Sequence, residues 1–435
     1  MRIGFFTDTF HPQDNGVVYV IDGLRQELEK QGHEVFIICP TERFLGSLSN
    51  AKHSDDHVIR VRSLPVVGPD ATRLSVFMPP RLLLKIARLK LDIIHMHTPS
   101  TLGMMAAYVA RKTKTPIVVQ HHTDIFQYAE HYPELTAGVI VSSFMVPVAI
   151  RSNAKQNIQL AKMYIPHIHH ERLWTQRMIE LLLDMSYGSS NAVIVQSRKS
   201  FNQISEFTKG TGVALHLIPN GIDPMPPTND EKIASFRNQF GLQPADQVVT
   251  YFGRMAREKN IDVLIPMFEK VLAKHPRAKL LLCGENEYRS ILMRKAAESG
   301  AAQSIVFTGR YNRVDLPTIC AVSDVYVYPA VTDTQAIVIN EAALEGLPLV
   351  LIDREVNDVA KCGVNALYAL NDPAKLASQV VRLLDDPTMA RRFGAESKAA
   401  ALSLSGENQA AKVIELYKDI LSRHDEREKG YIRIE

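Results

Sequence analysis

The sequence lacks the features that mark several classes of protein. It has only four cysteines in 435 residues, far apart and without the spacing of zinc ligands, which predicts reduced, buried thiols in a cytoplasmic protein. Its net charge of +3 is too small to indicate binding to nucleic acid. No apolar run approaches the roughly 20 residues of a membrane-spanning helix, and no secretory signal opens the chain. Any contact with a membrane is therefore expected to be peripheral.

The glycine fingerprint of nucleotide-dependent oxidoreductases is also missing, although the chain begins like a nucleotide-binding sheet. Residues 2–7, 18–31 and 33–39 predict a strand, a helix and a strand, which together form a βαβ unit. The turn after the first strand holds only Asn15-Gly16 in place of G-x-G-x-x-G. Because 435 residues are too many for one core, we expect two α/β domains.

The most informative stretch is residues 329–350, PAVTDTQAIVINEAALEGLPLV. It predicts the end of a strand, a loop, a helix at about 335–345 and a second buried strand. Three candidate N-cap residues precede this helix: Thr332, Asp333 and Thr334. A helix that starts at the carboxyl end of a parallel strand favours a phosphate site, because its free amides and its dipole both attract anions. Asp333 and Glu341, two helical turns apart, frame that site.

Two cations follow the first predicted strand of the second domain. That strand ends at Gly253, and Arg254 and Lys259 flank the polar turn after it. Fixed cations at the carboxyl edge of a strand stabilise the charge that develops on a leaving diphosphate, without a metal. Taken alone, these two side chains are equally compatible with solvated surface charges.

Five motifs occur in an order that resembles one enzyme family. They are N-G-V-V at residues 15–18, the pair His122-Thr123, P-N-G-I-D at 219–223, G-R-x-x-x-E-K-N at 253–260, and D-x7-E from Asp333 to Glu341. Together they resemble the family-4 glycosyltransferases, retaining enzymes that use a nucleotide sugar, over nearly the whole chain. The T-D-T-Q at residues 332–335 resembles the subgroup that glucosylates diacylglycerol-type lipids. The chain departs from the family's E-x7-E pattern at Asp333, whose side chain is one methylene shorter.

The resemblance implies the GT-B fold, an α/β architecture of two Rossmann-like domains that face each other across a cleft. An acceptor-side domain is expected at residues 1–222, with a final helix at 405–422 that crosses back to it, and a nucleotide-sugar domain at 223–404. The residues that the resemblance assigns to donor binding are Asn15, Gly16, Gly253, Arg254, Lys259, Arg310, Tyr311, Thr334, Gln335, Ala336, Ile337 and Glu341.

The resemblance also assigns roles in catalysis to His122, Arg254, Lys259, Asp333 and Glu341. Glu341 is expected to hold the ribose of the donor, while His122 and Asp333 grip the sugar. His122 is preferred to His121 because a threonine follows it, as in the family's H-T pair. The departing phosphate is expected to take the proton of the acceptor, so that no enzymic base, metal or cofactor is required.

The acceptor side is expected in the run of aromatic and histidine residues at 126–132, which is similar to the acceptor region of the lipid subgroup. Its candidate residues are Tyr128, His131 and Tyr132.

Two further stretches leave contact with a membrane open. Residues 81–91 predict a basic amphipathic helix that either lies on anionic lipid or packs on its own sheet. Residues 135–170 are longer than the usual family spacing and begin with an uncharged run. They predict either a flap that contacts membrane or acceptor, or a helical hairpin packed on the domain or on a second subunit. The number of subunits stays open.

Three functions are compatible with the sequence. The first is a glucosyltransferase that uses UDP-glucose and a lipid acceptor such as diacylglycerol at the cytoplasmic face of the membrane. The second is a transferase with a soluble sugar or small-molecule acceptor. The third is a non-catalytic sugar-nucleotide-binding protein, which the replacement of the family's first glutamate by Asp333 would favour.

Overall fold

The chain forms two compact units. The computed structural model describes residues 1–13, 15–41, 55–65, 73–75, 79–122, 135–150, 152–165 and 171–432. Unit one comprises Met1–Gly221 and Gly406–Glu435, and unit two is the intervening Ile222–Ser405. Each unit is built on its own parallel β-sheet. The predicted α/β class with two Rossmann-like domains is confirmed.

The sheet of unit one reverses its strand order at its centre. The strands, in chain order, are β1 (Arg2–Phe6), β2 (Glu34–Pro40), β3 (Val58–Val61), β4 (Ser63–Pro65), β5 (Arg73–Ser75), β6 (Ile93–Met96), β7 (Ile117–Gln120), β8 (Ala192–Val195) and β9 (Ala214–Leu217). β4 and β5 form a short antiparallel pair, and the others form a parallel sheet in the order β3-β2-β1-β6-β7-β8-β9. The order reverses between β1 and β6, and ligands of open α/β sheets bind at the carboxyl ends of strands beside such a reversal.

Helices cover both faces of this sheet. They are α1 (Gly16–Lys30), α2 (Pro80–Arg88), α3 (Thr101–Thr113), α4 (Leu135–Ile150), α5 (Ala154–Lys162), α6 (Glu171–Gly188) and α7 (Arg198–Thr208). α1 begins after Asn15, whose side-chain oxygen accepts hydrogen bonds from the amides of Val17 and Val18 at 3.1 Å. Its apolar face, which includes Ile21 and Leu28, is buried in the core of unit one.

The two stretches associated with membrane contact both form helices. In α2 the apolar face packs inward: Ile86 is buried, and Leu82 and Leu83 contact the same core, so packing on its own sheet is the alternative that the structure favours. α4 packs against α3 and α6, and α5 packs against α6. Residues 135–150 and 154–162 therefore form a pair of helices attached to unit one. Among the described residues, no helix combines the length and the apolar character required to span a bilayer.

Unit two repeats the pattern with a six-stranded parallel sheet. Its strands are β10 (Gln247–Phe252), β11 (Ala278–Cys283), β12 (Ile305–Gly309), β13 (Val325–Tyr328), β14 (Leu349–Leu351) and β15 (Ala366–Tyr368). Their order is β12-β11-β10-β13-β14-β15, which reverses between β10 and β13. The α-helices of this unit are α8 (Asp230–Phe240), α9 (Leu264–Leu272), α10 (Arg289–Ala297), α11 (Leu316–Ala321), α12 (Ile337–Leu344), α13 (Pro373–Asp385) and α14 (Pro387–Leu402).

The start of α12 differs from the prediction. The helix begins at Ile337 and its N-cap is Ala336, without a side-chain cap, so the expectation that Thr332, Asp333 or Thr334 caps it is wrong. The side chains of the first two are used elsewhere. The Thr332 hydroxyl donates to the carbonyl of Glu258 at 3.0 Å, and Asp333 forms an ion pair that is described below.

The last helix, α15 (Gly406–Ile432), belongs to unit one. It buries a stripe of apolar side chains that includes Val413, Tyr417 and Ile420. The Tyr417 hydroxyl lies 2.6 Å from Nδ1 of the buried His95 on β6. The final helix, expected at residues 405–422, runs from Gly406 to Ile432 and so continues well beyond its predicted end.

The cysteines agree with the sequence prediction except at one position. All four are free thiols. Cys39, Cys283 and Cys320 are buried, whereas Cys362 is exposed, contrary to the expectation of buried thiols.

Candidate functional site

The loops after β10 and β11 pass each other at very short range. Gly253 follows β10 with φ +146°, and Gly284 follows β11 with φ +148°. A Cβ atom at Gly284 would lie 2.0 Å from the carbonyl oxygen of Gly253. Only glycine fits there, both for its backbone angle and for this approach. The two loops therefore form one compact surface beside the reversal between β10 and β13.

Arg254 begins the loop after β10 and is held in place at both ends. Its guanidinium forms an ion pair with the buried carboxylate of Glu258. Its carbonyl accepts a hydrogen bond of 3.1 Å from the hydroxyl of Tyr251. The sequence placed Arg254 at this edge but did not identify Glu258 as its partner.

Lys259 and Asp333 form the central ion pair of unit two. The Lys259 ammonium lies 2.5 Å from Oδ1 of Asp333, and both side chains are mostly buried. The hydroxyl of Tyr328, at the end of β13, donates to the other oxygen of the same carboxylate. Burial opposes ionisation of Asp333, but the charge of Lys259 and these hydrogen bonds outweigh it and lower the pKa of the carboxyl group. Asp333 is thus a stable anion.

Glu341 is paired with an arginine that the sequence analysis missed. Nε of Arg313 lies 2.7 Å from Oε1 of Glu341. Burial raises the pKa of the Glu341 carboxyl group, and the charge and hydrogen bond of Arg313 work against that rise. Arg313 lies in the turn after β12, beside the predicted Arg310 and Tyr311. An arginine at the carboxyl edge of a strand was the available signal, but 28 positions separate it from Glu341.

The side chain of Asn357 holds the loop before α12 by hydrogen bonds. Its side-chain amide donates to the carbonyl of Ala336 at 3.1 Å and to Oδ1 of Asn340 at 2.6 Å. Thr334 and Gln335 are also buried. The four predicted donor-binding positions 334–337 therefore lie in a fixed segment at the reversal between β10 and β13.

In unit one, a row of histidines lies at the carboxyl ends of β6 and β7. His97 Nδ1 lies 3.0 Å from Nε2 of His122, and the rings of His95 and His97 stack at 4.1 Å. His121 is fully buried against the hydroxyl of Tyr187 at 3.0 Å. Burial lowers the pKa of His122 to about 3 and that of His121 to about 4. Both rings are therefore neutral at physiological pH.

A half-buried aspartate links the segments that follow the two strands beside the reversal in unit one. The Asp8 carboxylate accepts hydrogen bonds from the hydroxyls of Thr98 and Thr101 at 2.6 and 2.9 Å and from the amide of Leu102 at 3.1 Å. Burial raises the pKa of Asp8 to about 6 in spite of these donors. Asp8 thus connects the loop after β1 to the start of α3. Its position directly after β1 was the only sequence signal for it.

The structure brings the predicted site residues together within each unit as follows. In unit two, Gly253, Arg254, Lys259, Asp333 and Glu341 all lie at the carboxyl edge of the sheet, with Arg310 and Tyr311 after β12. In unit one, Asn15 and Gly16 start α1, and the oxygen of Asn15 is used to cap that helix. The acceptor-side candidates Tyr128, His131 and Tyr132 lie outside the described residues. Within the described part of the chain, no group of three or more histidine, cysteine or carboxylate side chains could hold a metal ion.

Two family models match the chain. The model of Glycosyltransferase Family 4 matches residues 14–225, and that of Glycosyl transferases group 1 matches residues 246–386. The first lies almost wholly in unit one and the second lies within unit two. Together they account for most of the sequence.

Known relatives and solved structures resemble the chain over most of its length. It is 26% identical over 354 residues to the Alpha-monoglucosyldiacylglycerol synthase of Streptococcus pneumoniae, a match that covers 80% of this chain and 70% of that protein. It is 23% identical over 434 residues to the protein of the same name from Acholeplasma laidlawii, covering 98% and 99%. Among solved structures, Anabaena Alr3699/HepE in complex with UDP has a TM-score of 0.68 at 18% identity, covering 96% of this chain and all of that one. At this identity the structural likeness concerns the fold.

Proposed function

Because this chain is a hexosyltransferase that belongs to the family-4 glycosyltransferases, we propose that it moves glucose from UDP-glucose to a lipid acceptor such as diacylglycerol, with retention of configuration. The observation that carries the proposal is the group of charged side chains at the carboxyl edge of β10 and β13, with Arg254, Lys259 and Glu341 as its main members. The names of the two relatives support the lipid acceptor, and the structural neighbour that binds UDP supports the uridine nucleotide.

In the proposed complex the diphosphate binds Arg254 and Lys259. Both cations are now paired with carboxylates, Glu258 and Asp333. A diphosphate carries more negative charge than one carboxylate and offers more acceptor oxygens, so it competes well for the same donors. The amides of the segment 334–337, at the start of α12, add further donors for an anion.

Glu341 holds the ribose of the donor in this proposal. One of its oxygens faces Arg313 at 2.7 Å, and a carboxylate has enough lone pairs to accept further hydrogen bonds from ribose hydroxyls. Arg313 offsets the cost that burial imposes on the charge of Glu341. Arg313 therefore acts as a positioning residue for the ribose contact.

The reaction itself needs no enzymic base. The bond between the anomeric carbon and the diphosphate oxygen breaks, the acceptor hydroxyl oxygen attacks the same face of the sugar, and the departing phosphate oxygen takes the hydroxyl proton. Arg254 and Lys259 stabilise the charge that develops on the leaving group. His122, neutral because burial lowers the pKa of its imidazole to about 3, contributes hydrogen bonds to the sugar, and Asp333 supplies a fixed anion.

The test is a transfer assay with labelled donor. The full-length protein is incubated with radiolabelled UDP-glucose and diacylglycerol in mixed micelles, and the organic phase is counted. We expect a labelled glycolipid whose anomeric configuration, read by NMR, matches that of the donor. Lys259→Met should abolish the product, whereas Lys270→Met, which removes an exposed lysine on α9, should leave it unchanged.

Other outcomes would reject parts of the proposal. Transfer only to a water-soluble acceptor would reject the lipid acceptor. A preference for GDP-sugars would reject the uridine donor. Tight binding of UDP-glucose with neither transfer nor slow hydrolysis would show a binding protein without transferase activity.

A further inference from the structure

The outer face of α4 is apolar but exposed. None of the 16 residues of this helix is charged. The face that packs against α3 and α6 buries Val139, Ser143, Val146 and Ala149. The opposite face carries large apolar side chains at helical spacing: Ile140, Val141, Phe144 and Val148. A helix that is apolar on all sides is normally covered on all sides.

The degree of exposure is unusual for such side chains. Phe144 is 67% exposed, Val148 is 56% exposed, and Ile158 on the neighbouring α5 is 56% exposed. Single exposed apolar residues are common on soluble proteins and need no explanation. A stripe of them along an uncharged helix indicates a surface that is covered in the functional state. We refer to Ile140, Val141, Phe144, Val148 and Ile158 as the apolar outer surface.

An aromatic side chain with a polar tip borders this surface. The ring of Tyr164, just after α5, lies 5.8 Å from that of Phe144, and its hydroxyl bonds to Ser143 of α4. Ile165, the next residue, is also exposed. Because the Tyr164 hydroxyl is already paired with Ser143, its exposed ring can lie at the boundary between lipid and water without an unpaired polar group.

The charge of this segment has one sign. Residues 135–165 contain Arg151, Lys155 and Lys162 but no aspartate or glutamate, although the whole chain has nearly as many acidic as basic residues, 47 against 50. Lys155 and Lys162 are exposed on α5. The acidic group that Lys155 influences is Asp184 of α6, whose pKa burial raises and the lysine lowers. Basic side chains beside an apolar surface fit an anionic lipid headgroup layer.

We propose that the apolar outer surface of α4 and α5 docks on an anionic lipid bilayer, with Lys162 and Tyr164 at the level of the headgroups. The inference deepens the proposed lipid-acceptor function, but it stands on the α4–α5 surface alone. α2 is a poorer candidate for the same contact, because its apolar face is already packed in the core of unit one.

The charge of the segment also argues against a second copy of the chain as the occupant. In a symmetric dimer the same patch meets itself. The basic patch of one copy would then face the basic patch of the other. Residues 135–165 hold no acidic side chain to compensate Lys162, whereas Lys155 already has Asp184 of α6 as an acidic neighbour. An anionic membrane supplies that compensation.

The first test is binding to vesicles that contain neither diacylglycerol nor donor. Vesicles of phosphatidylglycerol and phosphatidylcholine are mixed with the full-length protein and separated by flotation. We expect the Phe144→Ser/Val148→Ser double variant to bind about tenfold more weakly, since two large apolar groups lose their burial. Lys162→Glu should also weaken binding, and the effect should shrink at high salt because the interaction is screened.

Two matched variants serve as controls. Leu84→Ser removes a similarly exposed apolar side chain from α2, and Lys209→Glu reverses an exposed lysine of unit one at the end of α7. Both should bind within about twofold of the wild type. A loss in Leu84→Ser equal to that in the double variant would place the contact on α2 and overturn the proposal.

The second test uses the only tryptophan of the chain as a local probe. Trp174 on α6 lies 5.8 Å from the Tyr164 ring and donates to the carbonyl of Met163 at 2.6 Å. Brominated acyl chains in the bound vesicles should quench its fluorescence in the wild type. At one sub-saturating lipid concentration, Phe144→Ser/Val148→Ser should reduce the quenching in proportion to its weaker binding.

Four further outcomes would overturn the proposal: no vesicle binding, binding that the double variant does not weaken, binding without quenching, or a wild-type dimer that the double variant dissociates. The proposed transferase function would survive each of these, because it is measured with acceptor in detergent micelles. Conversely, binding to vesicles without transfer of sugar would support the docking surface and reject the proposed transferase function.

Discussion

Lys259 and Asp333 illustrate how a buried ion pair restricts the roles of single residues. At 2.5 Å the two charges neutralise each other, and Tyr328 adds a hydrogen bond to the carboxylate. Although Asp333 is shorter than the family's glutamate, both of its carboxylate oxygens have partners: one pairs with Lys259 and the other accepts a hydrogen bond from Tyr328. Donor binding must act on the pair as a whole.

We predict that Lys259→Met destabilises unit two by about 2–4 kcal/mol, because it leaves the Asp333 carboxylate buried without its cation. The affinity for UDP should fall by about tenfold or more, since a charge-assisted contact with the diphosphate is lost. Urea denaturation and calorimetric titration measure the two effects.

The double variant Lys259→Met/Asp333→Asn is the control for this prediction. It removes both charges, so it should recover most of the lost stability while UDP binding stays weak. A single variant as stable as the wild type would show that the pair contributes nothing to folding.

The residues that sequence analysis missed share one property: their partners are distant in the chain. Arg254 and Lys259 could be identified because a single strand end and a local motif carry both. Arg313 pairs with Glu341 through a contact that only the register of β12 and β13 in the sheet establishes. The roles of Asp8 and Tyr328 likewise depend on burial, which a local pattern of residue types does not encode.

The ends of β6 and β7 concentrate histidines that the folded protein keeps neutral. Burial lowers the pKa of His95 and His122 to about 3 and that of His121 to about 4, while that of His97 lies well below its usual range. In the unfolded chain each imidazole would accept a proton near its ordinary pKa of 6.5. Acid therefore favours the unfolded state of this element.

We predict that unit one loses stability as the pH falls from 6.5 toward 5, by roughly 1.4 kcal/mol per buried histidine for each pH unit. The native state takes up fewer protons than the unfolded state in this range, so its stability is retained above the unfolded pKa and lost below it. Asp8 opposes the trend, because its pKa is raised to about 6 and acid favours its folded form. Denaturant unfolding at several pH values measures the slope.

His121→Gln provides the comparison for the pH experiment. It removes one titrating imidazole and leaves His122 in place. The change in unfolding free energy with pH should therefore become smaller by roughly 1.4 kcal/mol per pH unit. An unchanged slope, or a stability that rises on acidification, would contradict the assignment of neutral buried imidazoles.

Element boundaries could be predicted where local chemistry decides them, and less well where tertiary contacts do. The βαβ start of the chain and the position of α1 follow from apolar runs and from the Asn15 cap. Three residues suited to capping precede α12, yet two of them make other contacts. Asp333 forms an ion pair with Lys259, and Thr332 donates a hydrogen bond to the carbonyl of Glu258, so the helix starts later, at Ile337. α15 continues past its predicted end at residue 422, and there the reason is local, because Asp419 and Arg423 form an i,i+4 ion pair on the helix surface.

At the scale of the whole molecule, unit one is completed by the far end of the chain. α15 supplies buried apolar side chains to the same core as α1, and the Tyr417 hydroxyl is a partner of buried His95. Unit two is continuous in sequence, from Ile222 to Ser405. Unit one therefore needs α15 to complete its core, whereas unit two does not include that helix.

We predict that a chain ending at residue 405 contains a folded unit two and an unfolded unit one, because removal of α15 exposes the core that Val413, Tyr417 and Ile420 cover. Limited proteolysis with mass spectrometry should show rapid cleavage within residues 1–221 and a resistant fragment near 222–405. Removal of residues 427–435 alone is the control and should leave both units resistant. Resistance of unit one in the shorter chain would show that α15 is dispensable.

The assignment of α15 to unit one also has a consequence for biosynthesis. A ribosome that has finished residue 221 must still translate all of residues 222–405 before it reaches the last segment of the first unit. At bacterial or eukaryotic elongation rates this interval lasts on the order of 10–40 s. Throughout it the nascent N-terminal portion carries an uncovered hydrophobic surface, which makes it a client for chaperones until α15 has been synthesised.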